Sequence, residues 1–211
     1  MIRKVGLWLL WLGFIAYALF LAPPWQPDIR RLQNFLAGNW ADINAIVLAI
    51  FSLIGMWVAI YSCLMFADGR MQKLPAWPFI VGSLGTGVLG LIPYLASREP
   101  NQHFSGPKDG WLKFWDSHRT AWLISLSTIA FVAYGILLGD WVGFVQEFQT
   151  SRFIHMMSLA CCLFGLLFPT LLGDDMARRG LKDDRLFWIV ALIPLFGPLA
   201  YLCFRPALPE A

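Results

Sequence analysis

Six apolar runs, each close to the length that a helix needs to cross a bilayer, constrain the fold of this chain more than any other feature. Only 14% of its 211 residues are charged, against roughly 25% in soluble domains. The sequence therefore predicts an all-α polytopic membrane protein with about six transmembrane helices, in a single transmembrane domain over residues 1–211. The predicted spans are residues 5–22, 43–66, 79–96, 120–138, 153–172 and 186–204.

A repeat at an offset of 107 residues divides the chain into two halves, 1–104 and 105–211. Three spans in each half is an odd number, which predicts two three-helix inverted repeats with Asp68 and Asp175 on opposite faces. Secondary transporters use this plan, in which helices broken by Gly and Pro at matching positions flank the binding site. The alternative is that Gly and Pro are simply frequent in membrane helices. The matched pairs are Asp68 and Asp175, Leu74 and Leu181, Gly90 and Gly197, Tyr94 and Tyr201, Leu95 and Leu202, and Arg98 and Arg205.

Small residues recur at helical spacing in the third predicted span. Gly82, Thr86 and Gly90 lie four residues apart, with Gly87 beside them, and Gly197 matches Gly90 in the second half. Small side chains let helix backbones approach closely in lipid. The pattern predicts helix packing at these residues and carries no information about chemistry.

Segments between the spans indicate how the chain lies relative to the membrane. Residues 28–40 and 141–148 have the amphipathic pattern of helices that lie in the interface. With six spans, ten of the 16 Lys and Arg fall on one face and six on the other. This majority places both termini away from the cytoplasm, whereas Arg3 and Lys4 indicate the reverse.

His155, at the edge of the fifth predicted span, is the candidate cofactor-binding residue. A histidine there could ligate a tetrapyrrole or relay a proton. The alternative is a histidine that only makes hydrogen bonds at the interface.

Asp174 and Asp175 form the candidate metal site. Paired carboxylates at a membrane surface can hold Mg²⁺ against a diphosphate. The alternative is a water-exposed loop whose charges pair with one another, in which replacing both residues by Asn would have little effect. No catalytic motif is found, so neither a catalytic residue nor a cofactor is predicted. The net charge of +3 is spread through the loops and does not indicate a nucleic-acid partner.

Several segments together resemble an uncharacterised multi-spanning integral membrane protein family of cyanobacteria and plant plastids. They are APPWQPD, DGRMQKLPAWPF, LIPYLASREPN with FSGPKD, TSRFIHMMSLA and LLGDDMARRG. The resemblance extends from about Leu21 onward and implies a thylakoid or plasma membrane of a photosynthetic organism. It brings no activity, cofactor or catalytic residue.

These observations favour a non-enzymatic accessory or assembly factor of a photosynthetic membrane. Its expected partners are membrane lipid and other integral membrane subunits. One alternative is a small transporter or channel built from inverted repeats. Another is a lipid-headgroup enzyme that uses Asp174 and Asp175.

Overall fold

The computed structural model describes residues 2–24, 33, 37–38, 40 and 43–209, and these residues form helices without any strand. The predicted interfacial segment 28–40 lies largely outside the described residues. In chain order the helices are α1 (Ile2–Phe20), α2 (Ala45–Arg70), α3 (Trp77–Thr86), α4 (Val88–Ser97), α5 (Gly110–Asp116), α6 (His118–Leu138), α7 (Trp141–Thr150), α8 (Arg152–Leu167), α9 (Pro169–Arg178), α10 (Asp184–Leu192) and α11 (Phe196–Phe204).

Within the described part of the chain, four helical segments are long and apolar enough to cross a membrane, which is compatible with an integral membrane protein. They are α1, α2, α6 and the segment Arg152–Arg178, which α8 and α9 form together. Pro169 is the first residue of α9. A helix needs no backbone donor at this position, so proline fits there without the loss of a hydrogen bond. The predicted segment at 141–148 is helical as α7.

Helices α3 and α4 form a hairpin, which we call the first hairpin. Each has ten residues and is therefore about 15 Å long, half the thickness of a bilayer core. The ring of Phe79, near the start of α3, lies 5.6 Å from that of Tyr94, near the end of α4. Gln72 and Glu99, which flank the hairpin, exchange two hydrogen bonds of 2.7 and 2.9 Å. The chain therefore returns to the end at which the hairpin began.

Helices α10 and α11 form the second hairpin, with the same crossing point as the first. In the first hairpin, Gly90 lies against the backbone of Ser83; in the second, Gly197 lies against the backbone of Val190. Both contacts fall at equivalent positions under the offset of 107 residues. The chain turns at Gly87 (φ +59°) in the first hairpin and at Leu195 (φ +67°) in the second.

Both hairpins begin and end at the same end of the molecule, which we call the charged end. Arg98 bridges two aspartates there, with hydrogen bonds of 2.6 Å to Asp68 of α2 and 2.5 Å to Asp174. Asp175 is the residue after Asp174. Asp68 and Asp175 therefore share one end, and the predicted inverted arrangement is wrong. Six spans are not confirmed, because the predicted spans 79–96 and 186–204 are the two hairpins. Each half then has two long helices, an even number, and the halves run parallel.

The core lies around the middle of α2. Trp57 of α2 stacks on Phe164 of α8, with ring centroids 6.3 Å apart, and the Tyr61 hydroxyl donates a 2.8 Å hydrogen bond to the Phe164 carbonyl. Gly135 of α6 faces Ala49 of α2, so close that a Cβ at Gly135 would come within 2.7 Å of the alanine Cβ. Aromatic stacking and close backbone approach thus fix α2 against α6 and α8.

Candidate functional site

Two clusters of buried charged residues lie at the charged end. Charged groups are costly to bury unless they are paired. The partners of each buried charge therefore determine whether it is available to a ligand. The first cluster comprises Asp68, Tyr94, Arg98, Asp174 and Arg178. The second comprises Asp116, Asp175, Arg179, Tyr201 and Arg205.

Asp68 is the centre of the first cluster and is fully buried. Its carboxylate accepts hydrogen bonds from the Tyr94 hydroxyl at 2.6 Å and from two nitrogens of Arg98 at 2.6 and 2.8 Å. Arg178 of α9 donates a further bond of 2.6 Å to it. Arg98 also bonds Asp174 at 2.5 Å, so two arginines join two carboxylates across the halves.

Asp175 occupies the same place in the second cluster. It accepts hydrogen bonds from the Tyr201 hydroxyl at 2.7 Å, from Arg205 at 3.2 Å and from Arg179 at 2.9 Å. Arg179 also forms an ion pair of 2.8 Å with Asp116, at the end of α5. Each carboxylate at the centre of a cluster thus fixes the last turn of a hairpin to the end of a long helix.

The two centres correspond residue by residue. Asp68, Tyr94 and Arg98 become Asp175, Tyr201 and Arg205 when 107 is added to each number. The polar members of the sequence repeat are therefore the residues that make equivalent hydrogen bonds in each half. Arg178 and Arg179 have no charged counterpart, since Met71 and Gln72 occupy those positions in the first half.

The aspartates of each cluster meet at least as many cations. Two arginines meet two aspartates in both, and the second cluster also has Lys108, 3.2 Å from Asp116. Arg98 has only 1% of its surface exposed. Burial lowers the pKa of Arg98, but its hydrogen bonds to Asp68 and Asp174 and their negative charge outweigh this and raise the pKa above its usual value. The guanidinium of Arg98 therefore stays charged.

Asp174 and Asp175, the predicted metal ligands, point to different clusters. Asp174 bonds Arg98 and Asp175 bonds Arg179, so arginine donors occupy the oxygens that a cation would use. The expected water-exposed loop is also wrong, because Asp174 is only 7% exposed and Asp175 is fully buried. Among the described residues, no three His, Cys, Asp or Glu side chains lie together as metal ligands.

His155, the predicted cofactor ligand, has both ring nitrogens in hydrogen bonds. Nδ1 lies 2.9 Å from the Phe148 carbonyl, which can only accept, so Nδ1 carries the proton. Nε2 then accepts from the Tyr17 hydroxyl at 2.7 Å. The ring also packs against that of Phe148, with centroids 4.3 Å apart. In this arrangement His155 links α1, α7 and α8 and presents no nitrogen to a cofactor.

The small residues predicted for helix packing have three different roles. Gly90 and Gly197 allow the two helices of each hairpin to cross, and Gly87 makes the turn of the first hairpin at positive φ. Gly82 and Thr86 lie exposed on the outer side of α3, and a Cβ at Gly82 would meet no atom within 4 Å. Among the described residues, the side-chain position of Gly82 packs against no other helix, whereas Thr86 Oγ1 faces α4 and would lie 2.8 Å from a Cβ at Gly90.

The expected pairing of charges within the loop is found between Asp175 and Arg179, but sequence reasoning missed Arg98 and Arg205 as partners of the aspartates. The available signal was the repeat, because Arg98 and Arg205 were among its matched residues together with the two tyrosines. Comparison with protein-family models, with curated proteins and with solved structures gives no match to this chain. The resemblance to the cyanobacterial and plastid family stays a prediction.

Proposed function

We propose that this protein is a non-enzymatic integral membrane protein that packs against other membrane subunits as an accessory or assembly factor. One observation carries the proposal. The carboxylates that could have held a catalytic cation, Asp174 and Asp175, are buried, and arginine and tyrosine side chains of the same chain donate hydrogen bonds to them. These residues join secondary-structure elements to one another.

A lipid-headgroup enzyme would have to open these ion pairs to bind Mg²⁺. Removing one partner from a buried pair typically costs about 3–5 kcal/mol, because the other charge is left without compensation. This cost argues against a catalytic use of Asp174 and Asp175. The inverted-repeat transporter loses its structural basis, since the two halves run parallel.

The outer side of α3 supports the packing role. Gly82 and Gly85 are exposed there, and a Cβ at either glycine would meet open space. A helix that contacts only lipid chains does not need small residues. A second helix does need them, because its backbone can approach closely only where the side chains are small. We therefore infer that a helix of a partner subunit packs on this side of α3.

The proposed location is the thylakoid or plasma membrane of a photosynthetic organism, which rests on the family resemblance. The charge distribution supports an orientation. Of the Lys and Arg in the described residues, all but Arg152 lie at the charged end. Because positive loops stay on the cytoplasmic side, we infer that the charged end faces the cytoplasm or its plastid equivalent.

Co-purification tests the proposal. The protein is purified in a mild detergent from the membranes that produce it, after brief chemical cross-linking, and its partners are identified by mass spectrometry. Gly85→Leu should lose the partner, while Gly13→Leu, at an equally open glycine of α1, should retain it. Retention of the same partner by both variants would contradict the packing role of α3, and the absence of any stable partner would contradict the accessory role.

A further inference from the structure

The second hairpin contains an apolar groove with a volume of about 410 Å³. Ile189 of α10 and Ile193, just after its end, form one wall, and Phe196, Ala200 and Phe204 of α11 form the other. Leu181, Tyr201, Arg205 and Pro206 lie at its charged end. The groove therefore runs from the charged end to the turn of the hairpin, deep in the apolar part of the protein.

The first hairpin has smaller side chains at the positions that line one wall of the groove. Under the offset of 107 residues, Ile189 and Ile193 correspond to Gly82 and Thr86. In the first hairpin these small residues let α4 approach α3, and a Cβ at Gly90 would come within 2.8 Å of Thr86 Oγ1. The helices of the second hairpin cross as closely, since a Cβ at Gly197 would come within 2.4 Å of the Val190 carbonyl oxygen. The branched side chains of Ile189 and Ile193 stand beside this crossing and line the groove.

The mouth of the groove has an excess of positive charge. Lys182 and Arg185 are exposed just before and at the start of α10. Arg119 lies one turn before Trp122 on α6, and the ring of Trp122 is 5.9 Å from that of Phe204. Two carboxylates, those of Asp183 and Asp184, oppose these three cations. The carboxylate of Asp183 already accepts hydrogen bonds from the backbone of α10. An anion is therefore favoured at the mouth.

We propose that the groove binds one acyl chain of an anionic glycerophospholipid, with its phosphate near Lys182 and Arg185. The nine residues of α10 extend about 14 Å, so the groove has the reach of one acyl chain from the polar surface to the middle of a bilayer. A transmembrane helix of a partner would extend twice as far and would match neither the length nor the charge of the mouth. The inference rests on a membrane location and is independent of the proposed partner on α3.

Native mass spectrometry of the detergent-purified protein tests this site. Phosphatidylglycerol and phosphatidylcholine with identical acyl chains are added at equal concentrations, and the bound fraction of each is measured. The wild-type chain should bind one phosphatidylglycerol in clear preference. Lys182→Gln with Arg185→Gln should reduce that preference about tenfold, since each basic residue near an anionic lipid contributes to its binding. Lys4→Gln with Lys73→Gln, a matched pair at the same end, should leave it unchanged.

A second variant tests the groove itself. Ala200→Trp fills the groove and should abolish binding of both lipids at this site, whereas Leu84→Trp, at an exposed position of α3, should not. Thermal unfolding of each variant monitors the fold, and the charge variants, which lie on the surface, test the site even if Ala200→Trp does not fold. The proposal is overturned if both lipids bind equally, if both charge pairs behave alike, or if a folded Ala200→Trp still binds phosphatidylglycerol.

Discussion

Arg178 of the second half donates a 2.6 Å hydrogen bond to Asp68 of the first half, although 110 residues separate them in the chain. The exchange is mutual, because Arg98 of the first half bonds Asp174 of the second at 2.5 Å. These two bonds cross the boundary between the repeats at the charged end. The clusters therefore fix each hairpin to its own half and join the halves to each other.

Asp175→Asn should destabilise the protein strongly, because it leaves Arg179 and Arg205 buried without their shared carboxylate. Loss of one partner from a buried ion pair costs about 3–5 kcal/mol, which corresponds to a fall in melting temperature on the order of 10 °C. Thermal unfolding in detergent measures the change. Asp184→Asn, at an exposed position of the same region, is the control and should alter the melting temperature by no more than about 2 °C.

Asp174→Asn with Asp175→Asn should likewise lower stability, in contrast to the small effect expected for a water-exposed loop. Mg²⁺ should leave the melting temperature of the wild-type protein unchanged, because arginines occupy the carboxylates. A rise with Mg²⁺ that disappears in this variant would support the metal site instead.

Gly90→Ala should destabilise the first hairpin by about 1–3 kcal/mol, because the new Cβ would lie 2.7 Å from the Ser83 nitrogen and would force α3 and α4 apart. Gly85→Ala is the control, since a Cβ there meets no atom within 4 Å and alanine favours a helix. Thermal unfolding compares the two. Equal melting temperatures for both variants would show that the crossing point is not closely packed.

His155→Phe should lower stability by about 1 kcal/mol, because it removes the hydrogen bonds to Tyr17 and to the Phe148 carbonyl. Tyr17→Phe removes only the first of these bonds and should have the smaller effect. The purified wild-type protein should show no tetrapyrrole absorption in the visible range. A Soret band that is lost in His155→Phe but kept in Tyr17→Phe would restore the ligand role of His155.

The sequence predicts the long helices well because each is an unbroken apolar run. It fails at the hairpins, since 18 or 19 apolar residues satisfy a hydropathy criterion whether they form one helix or two antiparallel halves. Gly87 and Pro194 near the middle of these runs were the local signals for a turn. A second signal was the charge count. Ten against six is a weak bias, whereas the hairpin topology places all of the described basic residues except Arg152 at one end.

The candidate site shows the same division. The repeat identifies Asp68, Tyr94 and Arg98 with their counterparts, but a one-dimensional match cannot show that these residues contact one another. The contacts of Arg178 and Asp116 depend on how α9 and α5 pack, which no local pattern records. The burial of Asp174 also depends on that packing. The sequence alone indicates a water-exposed loop at Asp174, because the stretch around it is polar.

Cysteine labelling with a membrane-impermeant maleimide tests the orientation. In a variant whose four native cysteines are replaced by alanine, Ser105→Cys reports the charged end and Gln149→Cys the opposite end. In intact cells that carry the protein in the plasma membrane, Gln149→Cys should react, and Ser105→Cys should react only after permeabilisation. The reverse pattern would contradict a cytoplasmic charged end.

The parallel arrangement of the two halves is tested most directly by labelling Lys73→Cys and Lys182→Cys, one at a time, in the same cysteine-free background. These exposed positions flank the first and second hairpins. Both should react from one side of the membrane, since two long helices in each half return the chain to the charged end. Reaction of the two positions from opposite sides would contradict the parallel halves, the hairpins and the shared clusters together.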